Sequence, residues 1–430
     1  MPEDRDAKGS RSIDLNVVVL PARAKAKAAD PIFFLHGGPG AAATALAPLF
    51  ARSDLRERRD IVLVDQRGTG GSNPLDCPVE DVQTLLHTLA HFDLPDTAGC
   101  RHRLQADLQH YTTSQAADDL DSVRQALGAE RINLIGGSYG TRLALEYVRR
   151  HGDHVRTATL RGVAPPSYVL PASFDGYSMS ALRGVLEDCR ESSACRQAFP
   201  EVARELDAVL ARLEVKSAQA RIPDPFGSGK VVIAVDRPLF VAALHYALYT
   251  SVTAARVPAF IHAAHEGEFD DLLGTTVRFA IAVSSQLSFG AFFSVVCAED
   301  APFYDAEAVV RSAQDTLLRG NLSATMTHAC EEWNVPAVPE ELKQPVRSDV
   351  AVLMISGEHD PVTPPEIAAE AARHLPNAVH LVLPETGHSN LTPGCTGRIL
   401  EEFIEKGSMT GVDTECVARI RRPSFDLSTR

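Results

Sequence analysis

The stretch that decides the fold is Arg131–Leu145, which reads RINLIGGSYGTRLAL. An apolar segment typical of a buried strand runs directly into the residues GGSYG, and a helical pattern follows at once. This is the G-x-S-x-G pattern in a strand–turn–helix setting, where it places a serine on a sharp, strained turn. Small glycines allow the strand and the helix to approach each other closely. The sequence therefore predicts that Ser138 is a nucleophile presented above a β-sheet.

Other short apolar runs lie on both sides of this turn, and they are typical of strands buried on both faces of a parallel sheet. They are Pro31–Leu35, Ile61–Val64, Val350–Ile355 and Val379–Leu383, with a weaker run at Thr157–Val163 and an edge strand predicted at Ile13–Leu20. Amphipathic helical patterns lie between them, at Gln115–Leu127, Thr141–His151, Pro364–Leu375 and Arg398–Lys406. The alternation of strands and helices predicts an α/β protein with a doubly wound, mostly parallel sheet.

The stretch from 166 to 345 interrupts this alternation. Its pattern is mostly helical, at Phe174–Cys189, Val202–Leu213, Arg237–Tyr249 and Ala306–Leu318, with one polar turn at Pro223–Lys230. Strand-like runs resume only at Val350. We therefore predict an inserted, mainly helical cap at 166–345, between two parts of a core at 1–165 and 346–430.

Composition sets outer limits on the function. A chain of 430 residues with 45% hydrophobic residues is long enough for a large core and one inserted domain. The formal net charge of −14 argues against nucleic acid or an anionic membrane as a partner, because both favour clustered Lys and Arg. No run approaches the roughly 20 apolar residues of a membrane span. We expect no nucleic-acid or membrane partner, and the sequence does not give the oligomeric state.

The cysteines bear on the compartment. The eight cysteines fall in four pairs that are close in sequence, which favours four disulfides, although many connectivities are open and buried reduced thiols are the alternative. No CxxC occurs and the spacings fit no zinc site, so no metal is expected. The opening MPEDRDAKGS is too polar for a secretory signal. The protein either stays inside the cell or is exported with its leader removed, and predicted disulfides favour export.

The partners of the serine are expected later in the chain, because an acid and then a histidine follow the nucleophile in this type of site. The loop 357–365 ends a predicted strand, and Asp360 is the favoured acid because its short side chain suits a fixed hydrogen bond. Glu358 is the alternative acid. His388 follows the next strand in a Gly-flanked loop and is the predicted base. Its Nε2 would take the Ser138 proton while Nδ1–H is held by the acid.

A glycine-rich loop supplies candidates for stabilising an oxyanion. Leu35–Gly40 reads LHGGPG and follows a predicted strand, so its backbone N–H groups can approach a substrate oxygen closely. Gly38 is the predicted donor, and Gly37 is the alternative. The amide of Tyr139, at the start of the helix after the nucleophile, is the second predicted donor. His36 is predicted to support this loop rather than to act in catalysis.

Five motifs together resemble the proline iminopeptidase and tripeptidyl-aminopeptidase family. They are LHGGPG at 35–40, VDQRGTGGS at 64–72, GGSYGT at 136–141, GEHDPVTPP at 357–365 and GHS at 387–389. The resemblance implies an α/β-hydrolase fold with a helical cap, and cleavage of an N-terminal residue or short peptide from a free amino terminus, with no cofactor. The cysteine-rich layout and the opening PEDR are closer to exported members than to the small cytosolic iminopeptidases.

Such an aminopeptidase needs an anion for the substrate ammonium group. The stretch 289–300, FGAFFSVVCAED, offers Glu299 and Asp300, with Phe292 and Phe293 as candidate pocket lining. The alternative is that the two acids form a salt bridge between cap and core and that the phenylalanines are core residues. Many relatives have an acidic residue where Arg161 stands in LRGVAPP. If that position touches the substrate, the specificity has shifted.

The predicted function is therefore a serine aminopeptidase acting on short peptides through an acyl-enzyme. The main alternative is an esterase or amidase acting on a small non-peptide substrate, because the same triad and fold serve many reactions. The third hypothesis is a non-catalytic binding protein on a hydrolase scaffold. The sequence does not indicate the length of the released peptide or a preference for proline.

Overall fold

The computed structural model describes residues 1–91, 93–94, 96–305, 307, 321–389 and 394–428. A seven-stranded sheet has the order β1-β3-β2-β4-β5-β8-β9. Its strands are β1 (Val17–Leu20), β2 (Ile32–Leu35), β3 (Ile61–Val64), β4 (Ile132–Gly137), β5 (Val155–Arg161), β8 (Ala351–Gly357) and β9 (Ala378–Leu383). All neighbours pair in parallel except β1, which pairs antiparallel with β3 at the edge. The prediction of a mostly parallel sheet is confirmed.

Helices cover both faces of this sheet, because successive side chains of a strand point to opposite sides. Leu134 packs on one face with Phe33 and Met354, and its neighbour Ile135 packs on the other face with Leu353. The helices outside the predicted cap are Ala47–Phe50, Val82–His91, Thr97–Arg103, Thr113–Ala126, Tyr139–His151, Pro365–Ala372 and Cys395–Lys406. Both faces are apolar, which explains why these strands read as continuous hydrophobic runs rather than as alternating ones.

The stretch predicted as the cap holds the helices Phe174–Glu191, Ser193–Ala198, Val202–Val215, Arg237–Ala247, Ser251–Ala254, Val257–Glu266, Asp270–Ser284, Phe289–Glu299 and Asn321–Trp333. The polar turn predicted inside it joins two antiparallel strands, β6 (Ala218–Pro223) and β7 (Lys230–Val235), which the sequence analysis missed. The helix predicted at Ala306–Leu318 lies outside the described residues, apart from Glu307. The division of the chain into core and cap stays a prediction.

All eight cysteines are paired. The disulfides join Cys77 to Cys100, Cys189 to Cys195, Cys297 to Cys330, and Cys395 to Cys416. The four predicted disulfides are present, and the structure supplies the connectivity that the sequence left open. Among the helices in the described part of the chain, none combines the length and the apolar composition needed to cross a bilayer.

Candidate active site

Ser138 lies on a strained turn between β4 and the helix Tyr139–His151. Its φ of +55° and ψ of −129° are unfavourable for a residue with a Cβ. The turn is possible because of the glycines around it: a Cβ on Gly136 would lie 2.5 Å from the carbonyl oxygen of Gly140, and a Cβ on Gly140 would overlap that of Leu35. The close approach of strand and helix expected from the sequence is therefore present in the structure.

His388 and Asp360 lie side by side at the carboxyl edge of the sheet, after β9 and β8. The imidazole Nδ1 lies 2.8 Å from Oδ2 of Asp360 and 3.0 Å from Oδ1. The carboxylate also accepts hydrogen bonds from the backbone N–H groups of Val362 and Thr363 and from the Thr363 hydroxyl, each at 2.8 Å. The acid is fully enclosed, with 1% of its surface exposed.

The protonation of Asp360 follows from these contacts. Burial by itself would raise the pKa of the carboxyl group, because it disfavours the charged form. The positive charge and hydrogen bond of His388, together with the N–H groups of Thr363 and Val362, outweigh burial and hold the pKa below its ordinary value. The carboxylate is thus ionised at neutral pH and can orient the imidazole.

The end of β5 joins the serine to the histidine. The backbone N–H of Ser138 donates to the carbonyl oxygen of Arg161 at 2.8 Å. The next residue, Gly162, has a φ of +61°, and a Cβ built there would lie 3.0 Å from Cε1 of His388. This end of the strand therefore binds the Ser138 backbone and lies against the His388 ring, whose Nδ1 contacts Asp360. Burial lowers the pKa of the Arg161 guanidinium to about 10.

The two acids considered for the loop after β8 have different partners. Asp360 contacts His388, whereas Glu358 accepts a hydrogen bond from the backbone N–H of Glu385 at 2.8 Å. The residue between them, His359, contacts Asp188 of the helix Phe174–Glu191, with 2.9 Å between Nε2 and Oδ2.

The glycine-rich loop after β2 lies against Ser138, the predicted nucleophile. A Cβ built on Gly37 would lie 3.5 Å from the Ser138 hydroxyl oxygen, and Gly38 has a φ of +112°. His36 accepts a hydrogen bond from the Gly37 N–H at its Nδ1, at 2.7 Å. Burial lowers the pKa of His36 to about 4, so it is neutral near pH 7. These contacts agree with a supporting role for His36, and the oxyanion roles of Gly38 and Tyr139 stay predictions.

A segment of the predicted cap pairs with this loop, which the sequence analysis did not anticipate. Ala42 N–H donates to the carbonyl oxygen of Gln286, and Ser288 N–H donates to that of Gly40, both at 3.0 Å. Between them, a methyl carbon of Leu287 lies 3.0 Å from the position of a Cβ on Gly38. Leu287 therefore covers the outer side of the candidate oxyanion loop.

A second part of the predicted cap contacts His388, the predicted base. The ring of Tyr249 lies edge-to-face with the His388 imidazole, with 5.2 Å between the ring centres. The Tyr249 carbonyl oxygen accepts the N–H of Ser389 at 2.7 Å. Tyr249 also contacts the rings of Tyr246 and Phe279. Only the fold joins these aromatic residues to His388, because no motif in the sequence marks them.

Glu299 and Asp300, the predicted ammonium ligands, are buried and have cationic partners. Asp300 lies 3.0 Å from Nη1 of Arg142 and 3.2 Å from Nζ of Lys343. Glu299 lies 3.5 Å from the same Arg142 nitrogen. The carboxylates thus join a helix of the predicted cap to the nucleophile helix, which is the arrangement that the salt-bridge alternative anticipated. The ammonium-binding role stays a prediction.

The predicted pocket phenylalanines pack against other apolar residues. Phe293 is completely enclosed and its ring centre lies 5.4 Å from that of Trp333. Phe292 lies 5.4 Å from Phe293, and 9% of its surface is exposed. Both belong to a hydrophobic cluster that also holds Tyr111 and Cys297. Their role as pocket lining likewise remains a prediction.

Two protein families match this chain. Residues 30–228 match the family described as having the alpha/beta hydrolase fold, and residues 316–416 match the family described as TAP-like protein. Together with the mostly parallel sheet and its antiparallel edge strand, these matches show that the chain has the α/β-hydrolase fold, as predicted.

The relatives found include proteins named proline iminopeptidase and tripeptidyl aminopeptidase. A proline iminopeptidase of Neisseria gonorrhoeae is 31% identical over 133 residues, which cover 31% of this chain and 32% of the relative. A tripeptidyl aminopeptidase of Streptomyces coelicolor is 32% identical over 156 residues, which cover 32% of this chain and 28% of the relative. The match therefore spans about a third of these relatives or less. The predicted resemblance to this family is confirmed.

Among solved structures, the crystal structure of a proline iminopeptidase from Mycobacterium smegmatis is similar at a TM-score of 0.45 and 18% identity. The similarity covers 93% of this chain and 97% of that chain.

Proposed function

We propose that this protein is a serine aminopeptidase that releases N-terminal residues or short peptides. The single observation that carries the proposal is the contact of the His388 imidazole with the buried Asp360 carboxylate, next to a serine held at positive φ. In this arrangement Nδ1–H points at the acid, which leaves Nε2 as the acceptor for the serine proton. The named relatives, a proline iminopeptidase and a tripeptidyl aminopeptidase, favour a peptide substrate.

The proposed reaction proceeds in two halves. His388 removes the proton of Ser138 as its oxygen attacks the scissile carbonyl, and the resulting oxyanion accepts hydrogen bonds from the Gly38 and Tyr139 amides. His388 then gives its proton to the leaving amine, and an acyl-enzyme remains. Water, deprotonated by the same imidazole, attacks the acyl-enzyme and frees the serine. Asp360 keeps its charge throughout and stabilises the imidazolium.

The test compares three substrates on the same enzyme: an aminoacyl arylamide with a free amino group, its N-acetylated form, and a simple aryl ester. We expect kcat/KM for the free amine to exceed that for the blocked form by at least about 100-fold, since a lost ion pair with the ammonium costs several kcal/mol. Equal kcat/KM values for the two arylamides would contradict the aminopeptidase proposal. Ser138→Ala is expected to lower kcat on every substrate by about 10⁴-fold or more, and undiminished turnover would contradict the triad.

One observation favours the second candidate, an esterase or amidase acting on an uncharged substrate. Both carboxylates that were predicted to bind the ammonium group already face Arg142, and Asp300 also faces Lys343. A substrate amine would have to compete with these cations. The aryl ester in the same experiment distinguishes this candidate, because its turnover needs the triad and no ammonium site.

We further propose that the protein works in an oxidising compartment outside the cytoplasm. Four disulfides support this, because such bonds persist in exported proteins and are rare where thiols are kept reduced.

A further inference from the structure

The Glu299 side chain lies at the N-terminus of another helix. The helix Thr113–Ala126 has no side-chain hydrogen bond from its own N-cap residue, Thr112. Its first N–H, that of Thr113, donates instead to Oε1 of Glu299 at 2.6 Å. A carboxylate at a helix N-terminus satisfies a free donor and is favoured by the helix dipole. Glu299, distant in sequence, therefore supplies the cap that this helix lacks.

Hydrogen bonds through two hydroxyl groups connect the same carboxylate to the helix Tyr139–His151. The Thr113 hydroxyl donates to Oε2 of Glu299 at 2.7 Å, and its oxygen lies 2.8 Å from the Tyr139 hydroxyl. Since the single proton of Thr113 is used on Glu299, the Tyr139 hydroxyl must be the donor to Thr113. Burial, and next the charge of Glu299, raise the pKa of Tyr139, so the phenol keeps that proton. All three residues are buried.

A second link acts one turn further along the nucleophile helix. Arg142 lies over the Tyr139 ring, with 5.8 Å between the guanidinium carbon and the ring centre, and it pairs with both Asp300 and Glu299. Its side chain is 2% exposed. Burial would lower the pKa of Arg142, but the charges of Asp300 and Glu299 outweigh it and raise the pKa. The first turn of the nucleophile helix is thus attached twice to the end of the helix Phe289–Glu299.

We propose that Glu299 is a positioning residue that fixes the Tyr139 backbone amide, one of the two predicted oxyanion donors, by acting through Thr113 and the Tyr139 hydroxyl. This inference rests on the proposed acyl-transfer function but not on a peptide substrate. Oxyanion stabilisation depends on donors that are already in place when charge develops. A side chain anchored at its far end restricts the backbone of its own residue, and Ser138 is the immediate neighbour of Tyr139.

Two variants test the link at different points. Glu299→Leu keeps a similar side-chain volume but removes both carboxylate oxygens, so the Thr113 N–H and hydroxyl lose their acceptor and the chain to Tyr139 is broken. Tyr139→Phe removes only the hydroxyl group and keeps the buried ring, so it remains informative if the first variant folds poorly. The quantities to be measured are kcat and KM on the aryl ester and on both arylamides, together with the rate at which an organophosphonate labels Ser138.

We expect each variant to lose about tenfold in kcat on every active substrate and in labelling rate, with KM changed less than about twofold. This loss is smaller than the roughly 10²–10³-fold decrease in kcat that follows removal of an oxyanion donor, because here the Tyr139 amide is displaced and not removed. The double variant should be no slower than the slower single variant, because both changes break one chain of hydrogen bonds. Glu331→Leu, on a side chain that is 73% exposed, is the matched control and should behave as the parent protein.

Two results would overturn the inference. An increase in KM confined to the free-amine substrate would make Glu299 an ammonium ligand. A lower melting temperature with unchanged kcat and labelling rate would leave it only a helix cap. Failure of the aminopeptidase proposal is distinguishable from both, because the ester and the organophosphonate report on the site without a substrate amine.

Discussion

His245 illustrates, at the scale of a single residue, how burial sets charge near the candidate site. Its Nδ1 lies 2.6 Å from the Ser178 hydroxyl, and its ring contacts Phe174 and Tyr249. Burial lowers its pKa to about 3, and the neighbouring His388 contributes in the same direction. His245 is therefore neutral in the folded protein throughout the physiological range. The His245 ring therefore places no positive charge beside the imidazole of His388, the predicted base.

This gives a pH dependence of stability. The pKa of His245 is about 3 when folded, against about 6.5 for an unfolded histidine, so only the unfolded chain takes up a proton between these values. Stability from this group is complete above about pH 6.5 and declines as the pH falls towards the folded pKa. Between about pH 7 and pH 5 the loss is about 2 kcal/mol, at about 1.4 kcal/mol per unit.

His245→Gln should remove that part of the acid sensitivity. The lost contact with Ser178 lowers the stability at every pH, so the informative quantity is the change between about pH 7 and pH 5. Urea denaturation at both pH values should show a smaller decrease in the free energy of unfolding for the variant than for the parent. His328→Gln, on a side chain that is 67% exposed, is the matched control. Equal decreases in His245→Gln and the parent would contradict the prediction.

At the scale of elements, the site is assembled where parallel strands end. Ser138 follows β4, Asp360 follows β8 and His388 follows β9, and all parallel strands present their carboxyl ends on one edge. The end of β5 lies among them and contributes backbone rather than side-chain chemistry: its last carbonyl group holds the Ser138 N–H, and Gly162 leaves space for the imidazole. We expect a side chain at that glycine to displace His388, the predicted base.

Gly162→Ala should therefore impair catalysis beyond its effect on stability. Its φ of +61° makes any Cβ strained, by about 1–2 kcal/mol, and that Cβ would lie 3.0 Å from the His388 ring. We expect kcat on the aryl ester to decrease at least about tenfold, because small displacements of a catalytic group are costly. Gly128→Ala carries a similar φ of +67° with nothing within 4 Å, so it should cost stability and leave kcat unchanged. Equal kcat values for the two variants would exclude displacement of His388.

At the scale of the whole molecule, the predicted cap is attached to the rest of the chain at several separate places. The segment around Leu287 pairs with the glycine-rich loop, Tyr249 packs on His388, and His359 of the acid loop contacts Asp188. The glycine-rich loop, the loop of the predicted base and the loop of the predicted acid thus each have a partner in the predicted cap. Disulfides also link neighbouring elements covalently. The Cys297–Cys330 bond joins the helix that carries Glu299 to the helix Asn321–Trp333.

The disulfides should contribute unequally to stability. Their loops differ in length, with a sequence separation of 33 residues for Cys297–Cys330 and 6 residues for Cys189–Cys195. Loop-closure entropy then predicts that replacing the first pair by serines costs about 1.5 kcal/mol more than replacing the second. Urea denaturation of the two double variants measures the difference, and a larger loss for the short loop would contradict it. Alkylation of the unfolded, unreduced parent should leave its mass unchanged.

Patterns of neighbouring residues were sufficient to predict the fold class and the candidate triad of this protein. The elbow glycines, the apolar runs and the order of serine, acid and histidine are properties of neighbouring residues, so the sheet class and the residues Ser138, Asp360 and His388 were predicted from the sequence. The four disulfides were also indicated by their spacing. The hairpin β6–β7 was missed because its exposed faces weaken the strand pattern on each side of a polar turn.

Only the tertiary structure decided what each group faces. The sequence could not choose between Asp360 and Glu358 by geometry, and the fold places Asp360 against His388. Likewise, Glu299 and Asp300 were expected near a substrate amine, and folding brings them to Arg142. The physical reason is that charge pairing and burial depend on which distant segments meet. Sequence patterns therefore predict the chemical groups and the strand ends that carry them, whereas the partners of those groups depend on long-range packing.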